Sequence, residues 1–467
     1  MRTHYHKALT MFNFVDITDF RSACSLTNIS NSACLRQKDV PMKNTIARDF
    51  RGASFVTNKA TRKSAFFEGP LASQALHLID NQSYRLPESF LNRFWPEDRS
   101  TATKDFAEIR KVVLSLPIGP ESESGNGNAT AQKTALEELS AYAIREWQLI
   151  NASLELTYTC NQRCDWCYLD NFRERGLSRE RIHKLAQELK SAGVIFILLT
   201  GGELFLRHDA IPIMEDLEEL GFILELKTNG TALNPSKVEK LARLRPYDIQ
   251  VSVYETQTGY SELTKSVYRF DWLKGSVLQM LQQGLPVTLS VLVGKHNIDR
   301  IDEVHEVLAK IGAPVFYSPY ITPNRGGLGE EILLRLSPRE MEEKFKPFLD
   351  RIGGFPVQNK YRDCRNRTVC FAGRDQIAID PRGVVYPCLD LRIPLGDTSS
   401  ESLAEIISRR KKLLTQFSLQ EMHQCMGCRN RNYCDSCIGL ALVENGDYRT
   451  PSKHKCDVVH FYSQGRR

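Results

Sequence analysis

Residues 154–167 read LELTYTCNQRCDWC. Leu154–Tyr158 reads as a strand, and Cys160, Cys164 and Cys167 follow it on one short loop as a C-x3-C-x2-C group. Three thiolates so spaced can wrap one face of a [4Fe–4S] cube, each taking one iron, and leave the fourth iron open to a substrate or cofactor. A closed structural zinc site wants four ligands, usually from paired C-x2-C hooks. The odd count favours an open site.

Outward from this loop the chain alternates strand and helix. Strands are expected at Leu154–Tyr158, Val194–Thr200, Phe222–Thr228, Asp248–Tyr254, Pro286–Val293 and Pro314–Tyr320. Helices fall between them: one capped by Ser178 and running to Ser191, then His208–Leu220, Pro235–Ala242, Asp271–Gln283 and Ile298–Ile311. Gly193, Gly221, Gly284 and Gly312 stop four of them, as glycine does beyond a helix C-terminus. Six such repeats imply a parallel sheet, because each strand must return by a helical crossover. The expectation is an α/β fold with a partial (β/α)6 barrel; an open doubly wound sheet shares the pattern.

The loop after the second strand carries Thr200-Gly201-Gly202-Glu203, where two glycines let backbone approach a ligand that a Cβ would exclude. Together with C-x3-C-x-aromatic-C after the first strand, it resembles the signature of radical S-adenosylmethionine (SAM) enzymes. The two motifs stand at the C-terminal ends of adjacent strands, where barrels place active sites. The resemblance implies that Cys160, Cys164 and Cys167 hold a [4Fe–4S] cluster and that Gly201, Gly202 and Glu203 lie beneath the methionine part of SAM. By the same resemblance Asn229 and Ser252 are polar contacts to SAM, although Asn229-Gly230 also reads as a turn and Ser252 as a filler. Trp166 would shield the cluster or lie near the adenine. The implied reaction is reductive cleavage of SAM to a 5′-deoxyadenosyl radical, which abstracts a hydrogen from an unactivated carbon.

Thirteen cysteines are present, and eight crowd the last hundred or so residues: Cys364-x5-Cys370-x12-Gly383-x4-Cys388, then Cys425-x2-Cys428-x5-Cys434-x2-Cys437, then Cys456. Two structural zincs would use the same hooks. Beside the radical SAM motifs, the array resembles the SPASM extension of peptide-modifying relatives, which holds two auxiliary [4Fe–4S] clusters. That resemblance assigns Cys364, Cys370, Cys388 and Cys437 to one cluster, and Cys425, Cys428, Cys434 and Cys456 to the other. The Cys434–Cys437 interval has two intervening residues, where the family often has three. From about residue 351 the pattern is too broken to build a core alone, so metal is expected to hold the segment together. Fully ligated clusters accept electrons, which favours net oxidative chemistry such as cross-linking.

Sulfatase-maturating relatives carry an Asp base directly after the cysteine matching Cys388. Here Leu389 stands there and Asp390 follows. An extended backbone turns Asp390 to the other face, so it is either a base in another geometry or an exposed loop carboxylate.

Ahead of the barrel, residues 119–134 (GPESESGNGNATAQKT) form a flexible linker. Residues 1–48 show weak patterning. Short strands at Phe55-Val56 and Ala65–Phe67, with helices at Leu71–Ile79, Pro87–Phe94 and Phe106–Leu116, suit a winged-helix module. Such a module resembles the domain that holds leader peptides in maturases of ribosomal peptides; a structural cap is the alternative. The expected organisation is 1–118 peptide recognition, 119–134 linker, 135–345 radical SAM barrel and 346–467 SPASM domain.

Composition bounds what remains. With 467 residues, 42% hydrophobic and 25% charged, the chain is not wholly disordered. A net charge of +6 does not argue for nucleic acid, although residues 1–66 hold eleven Lys/Arg against four Asp, a solvated basic arm or a docking surface for acidic residues. No apolar run approaches the ~20 residues of a membrane span, and Met1–His6 lacks a secretory h-region; cytosol and no membrane partner are expected. The family resemblance implies a precursor peptide as substrate, a C–S or C–C cross-link as product, and a reducing partner such as flavodoxin or ferredoxin. The alternatives are sulfatase-maturase-like side-chain oxidation and a zinc-stabilised, non-enzymatic binding protein.

Overall fold

A computed structural model of the chain describes residues 45–50, 53–58, 64–68, 135–353, 370–431, 434 and 436–464. Two compact units result, residues 1–139 and 140–467. The first contains a three-stranded antiparallel sheet, β1 (Thr45–Phe50), β2 (Ala53–Asn58) and β3 (Ser64–Glu68), in that order. β2 and β3 contain the two expected strands. β1 is additional: its apolar Ile46 and Phe50 are separated by Arg48, which breaks the alternation a strand normally shows. The three N-terminal helices, the linker and Cys24, Cys34 and Cys364 lie outside the described residues.

In the second unit, six parallel strands follow the expected positions: β4 (Asn151–Thr157), β5 (Phe196–Gly201), β6 (Ile223–Thr228), β7 (Asp248–Val253), β8 (Val287–Leu292) and β9 (Val315–Ser318). Helix α1 (Ala135–Glu146) spans the boundary between the units, and helices α2 (Arg179–Ser191), α3 (Ala210–Glu219), α4 (Pro235–Leu244), α5 (Gln257–Thr264), α6 (Phe270–Gln282) and α7 (Ile301–Ala309) alternate with the strands. Ser178 caps α2 as expected, its hydroxyl accepting from Arg181 N at 3.3 Å. The strands lie in sequence order from β4 to β9. A doubly wound sheet reverses direction at a switch point. With no reversal, right-handed crossovers put every helix on one face, and the other face becomes the inside of a partial barrel.

The two faces differ in chemistry. Leu154, Ile197, Leu199, Leu224, Leu226, Ile249, Val251, Leu289 and Val291 belong to one core with the helices. The intervening residues point inward, and many are polar: Glu155, Thr200, Glu225, Lys227, Gln250, Ser252 and Ser290. Register places them side by side, Glu155 with Thr200, Glu225 with Asp248, Lys227 with Gln250, and Ser252 with Ser290. Parallel strands buried on both faces usually read as continuous apolar runs. This alternation instead makes a polar lumen.

The C-terminal segment is not left without a core. β10 (Gln376–Ile379) pairs in parallel with β4, Gln376 opposite Asn151 and Ile379 opposite Leu154. β11 (Val384–Tyr386) and β12 (Gly396–Asp397) continue the sheet antiparallel. Ile377, Ile379, Val385, Leu403 and Ile406 join the barrel's apolar cluster. α8 (Leu403–Leu414) is capped by Ser402 and Glu405, and Leu403 N donates to Glu188 of α2 at 2.7 Å. Metal therefore has an apolar scaffold already in place beneath it.

Gly383 turns the β10–β11 hairpin at φ +97°, and a Cβ there would stand 2.7 Å from Thr398 Oγ1. Asp380 accepts from Arg382 N and Val384 N within the same turn, at 2.9 and 3.0 Å. Gly383→Ala is expected to cost about 1–3 kcal/mol and to lower the thermal midpoint. An unchanged midpoint would show that the turn relaxes freely.

Candidate functional site

The C-terminal edge of the barrel gathers the sequence motifs. Each glycine of Gly201-Gly202 is required by its neighbours: a Cβ on Gly201 would meet Thr157 O at 2.2 Å, and one on Gly202 would meet Thr159 O at 2.4 Å. Their missing side chains let the second loop pack directly under the chain entering the cysteine loop, with Gly202 N donating to Thr157 O and Glu203 N to Thr159 O. The glycines thus serve backbone-to-backbone contact within the protein, a use that the sequence reading did not include.

Glu203 is fully buried. Its carboxylate accepts from Phe205 N at 3.0 Å, Thr228 Oγ1 at 2.8 Å and Asn229 N at 2.7 Å. Burial raises its pKa, and those donors work against the rise. Glu203 therefore fixes the end of β6 to the end of β5. Asn229, so held, donates Nδ2–H to Asn161 Oδ1 at 2.9 Å and stands 3.8 Å from Cys160 Sγ.

The cysteine loop is braced from several sides. Cys167 N donates to Cys164 O, and Arg163 N to Thr264 O beyond the barrel edge. Asn324 Nδ2 reaches Cys167 O and Leu169 O. Burial pushes the Cys160 thiol up to about 11, and burial together with the neighbouring thiols raises Cys164; Cys167 is raised by burial as well. A desolvated group of three thiols can be held as thiolates only with a cationic partner, which suits an iron–sulfur cube. Among the described residues no three His, Cys, Asp or Glu side chains meet closely enough to hold a single ion; a cube takes its thiolates at separate iron corners.

Aromatic rings wall one side. Trp166 is buried and stacks on His296 at 4.4 Å and 19°, with Tyr254 also 4.4 Å away. Ser252 lies on β7 at the same edge. His296 was not evident from sequence: it follows β8 alone, without a second ligand-type residue at helical or hook spacing. Its Nε2–H donates to Leu292 O at 3.2 Å, and burial lowers its pKa to about 4. A folded value below the ordinary 6.5 means that the unfolded chain binds the proton more tightly. This stability is fully present above pH 6.5 and is lost as pH falls from there towards 4. Roughly 2 kcal/mol should disappear between pH 7.5 and 5, and His296→Phe should remove that share of the slope, while His454, which burial lowers to about 3, keeps its own. A profile equally steep in the variant would place the titration elsewhere.

In the lumen, burial lowers the Lys227 pKa while Glu225, Asp248 and Asp390 oppose the shift. Asp390 is half-buried, and its charge acts on Lys227 as well as on Cys388 and Cys437. Deeper, Glu155 is enclosed by Arg325 at 2.5 Å, Arg392 at 3.2 Å and Tyr158 Oη at 3.1 Å. Arg392 also lies 3.6 Å over the Tyr386 ring. This network joins β4, the loop after β9 and the loop after Cys388, and its members are too far apart in sequence to leave a local signal.

The C-terminal thiols fall into two neighbourhoods. Cys437 and Cys388 are raised by burial, and each feels Asp390 and Cys370. Cys456, pushed up to about 12 by burial, feels Cys434, Cys425 and Cys428.

Comparison with known proteins agrees with this layout. The Radical SAM superfamily profile matches residues 154–308, and that of an iron–sulfur cluster-binding (SPASM) domain matches 370–437. The chain is 26% identical over 324 residues to the antilisterial bacteriocin subtilosin biosynthesis protein AlbA of Bacillus subtilis, covering 64% of this chain and 69% of that one. It is 24% identical to the mycofactocin maturase MftC of Mycolicibacterium smegmatis, covering 62% and 77%. Among solved structures, Streptococcus suis SuiB bound to precursor peptide SuiA superposes with a TM-score of 0.59 at 15% identity, covering 89% of this chain and 98% of that one; at that identity the likeness is one of fold. A radical SAM domain takes SAM and one [4Fe–4S] cluster, and a SPASM domain takes auxiliary iron–sulfur clusters. No helix among the described residues is long and apolar enough to cross a membrane.

Proposed function

The chain is a radical SAM/SPASM enzyme, and we propose that it matures a ribosomally synthesised precursor peptide by closing a C–S or C–C cross-link between two of its side chains. One observation carries this reading: β10 pairs with β4, so the strand after Cys370 and the strand before Cys160 are neighbours in one sheet. An oxidising array and a radical-generating loop are then carried by one sheet. The relatives named for biosynthesis of the bacteriocin subtilosin and for mycofactocin maturation, together with SuiB bound to its precursor peptide SuiA, support the same substrate class.

When bound, the cluster and SAM together supply a radical able to take a hydrogen atom from an unactivated carbon. The chain's residues do the rest. Cys160, Cys164 and Cys167 would hold the first cluster, and Trp166, Gly201, Gly202, Asn229 and Ser252 would seat SAM, with Glu203 positioning Asn229. The two thiol neighbourhoods support assigning Cys370, Cys388 and Cys437, with Cys364, to one auxiliary cluster. Cys425, Cys428, Cys434 and Cys456 would hold the other. An Asp390 carboxylate oxygen would take the proton that the second side chain gives up. The trio β1–β3 offers a sheet edge to which a leader peptide can add a strand. A flavodoxin- or ferredoxin-like protein supplies electrons, and the compartment is the cytoplasm.

Co-expression with short peptides encoded beside the gene tests this. The expected product is a peptide lighter by two hydrogens, the mark of a closed cross-link; every candidate peptide returned unmodified would contradict the reading.

A further inference from the structure

We propose that the face around Trp147 is the docking site of a small acidic one-electron carrier protein, with Cys370 the cluster thiol that lines it. This rests on the reading of Cys370 as an auxiliary-cluster thiol. Trp147 follows α1 with a left-handed backbone, φ 58°, and is half-buried. Its carbonyl accepts from Arg410, whose Nε donates to Gly373 O at 2.8 Å, so the tryptophan is tied to the turn just after Cys370. A pocket opens there, lined by Trp147, Cys370, Arg374, Leu414, Phe417 and Ile438. A cysteine of the auxiliary set thus reaches a surface pocket between two aromatic residues.

The rim is cationic. The Arg374 guanidinium lies 4.6 Å from the Trp147 ring centre and Lys411 Nζ lies 5.6 Å from it. Arg374 Nε is buried without a hydrogen-bond partner, and Arg374 feels the Cys370 thiol and the Asp375 carboxylate. α8 contributes the run Arg409-Arg410-Lys411-Lys412. Arg409 is paired with Glu401 and Arg410 is buried, whereas Lys411 and Lys412 are exposed and have no ion-pair partner among the described residues. Unmatched cations around an aromatic opening suit a partner with an acidic face, since such charges steer encounter and fix register.

The electron count gives the site its task. In the proposed cross-linking the peptide loses one hydrogen atom to the SAM-derived radical. It then loses a proton and one electron as the new bond to the second side chain forms. That electron leaves past Cys370 to the oxidised carrier, which is reduced by one electron.

The test uses the full, anaerobically reconstituted chain with a flavodoxin as probe. Lys411→Glu/Lys412→Glu should weaken binding about tenfold at low ionic strength, with the deficit shrinking as salt is added. Lys184→Glu/Lys240→Glu, the same charge change on exposed positions of α2 and α4, should leave the affinity unchanged. Unaltered affinity in the first variant, or an equal loss in the second, overturns the docking site. Failure of the wild-type chain to cleave SAM with dithionite overturns the proposed function instead, and the electron route with it.

Discussion

Replacing Cys160, Cys164 and Cys167 together by Ala should abolish SAM cleavage while leaving about two-thirds of the iron in place. The three thiols sit on one loop at the barrel edge, and no other cysteine lies between Cys167 and Cys364, so the barrel strands and helices that follow supply no substitute thiol. The C-terminal thiols occupy their own neighbourhoods on a scaffold that includes β10 and α8, and they should still assemble their clusters. Iron analysis and chromatography for 5′-deoxyadenosine under dithionite read both halves of the expectation. Continued 5′-deoxyadenosine production by the triple variant would mean that the radical chemistry resides elsewhere; loss of all the iron would mean that the clusters assemble as one unit.

The second large effect is expected at Glu155. Its side chain is completely enclosed and faces Arg325 and Arg392, themselves only 10% and 18% exposed. Glu155→Leu keeps the volume and removes the charge, leaving two guanidinium groups facing each other inside the lumen. Breaking a buried network in this way costs about 3–5 kcal/mol. Chemical denaturation should show the midpoint falling accordingly. Because Arg392 belongs to the loop after Cys388, auxiliary iron should be lost in the same variant. A change below about 1 kcal/mol would show that water or Asp380 takes over the pairing.

The sequence carried the barrel legibly for a physical reason: each βα unit is local. Ser178 caps its helix, Gly193, Gly221, Gly284 and Gly312 end theirs, and the six strands fell within a few residues of their expected positions. The choice between barrel and open sheet was also present, in the alternation of Ile223-Leu224-Glu225-Leu226-Lys227 and Ile249-Gln250-Val251-Ser252. A polar lumen needs that alternation and an open sheet buried on both faces does not. What could not be read was long-range. The β10–β4 pairing joins residues more than two hundred positions apart, and the Glu155 network spans 170 and 237 positions. Neither leaves a period. β1 was hidden by Arg48, which interrupts its apolar face. The site divides in the same way: the cysteines and Gly201-Gly202-Glu203 announce themselves by spacing, whereas His296 acquires meaning only from Trp166, on which it stacks.

The most direct test of the account follows one atom. The reconstituted enzyme is supplied with SAM, reductant and a precursor peptide fully deuterated at carbon, and the 5′-deoxyadenosine formed is analysed by mass spectrometry. The account predicts deuterium in that product together with a peptide that has lost two hydrogens. Unlabelled 5′-deoxyadenosine beside an unchanged peptide would contradict it.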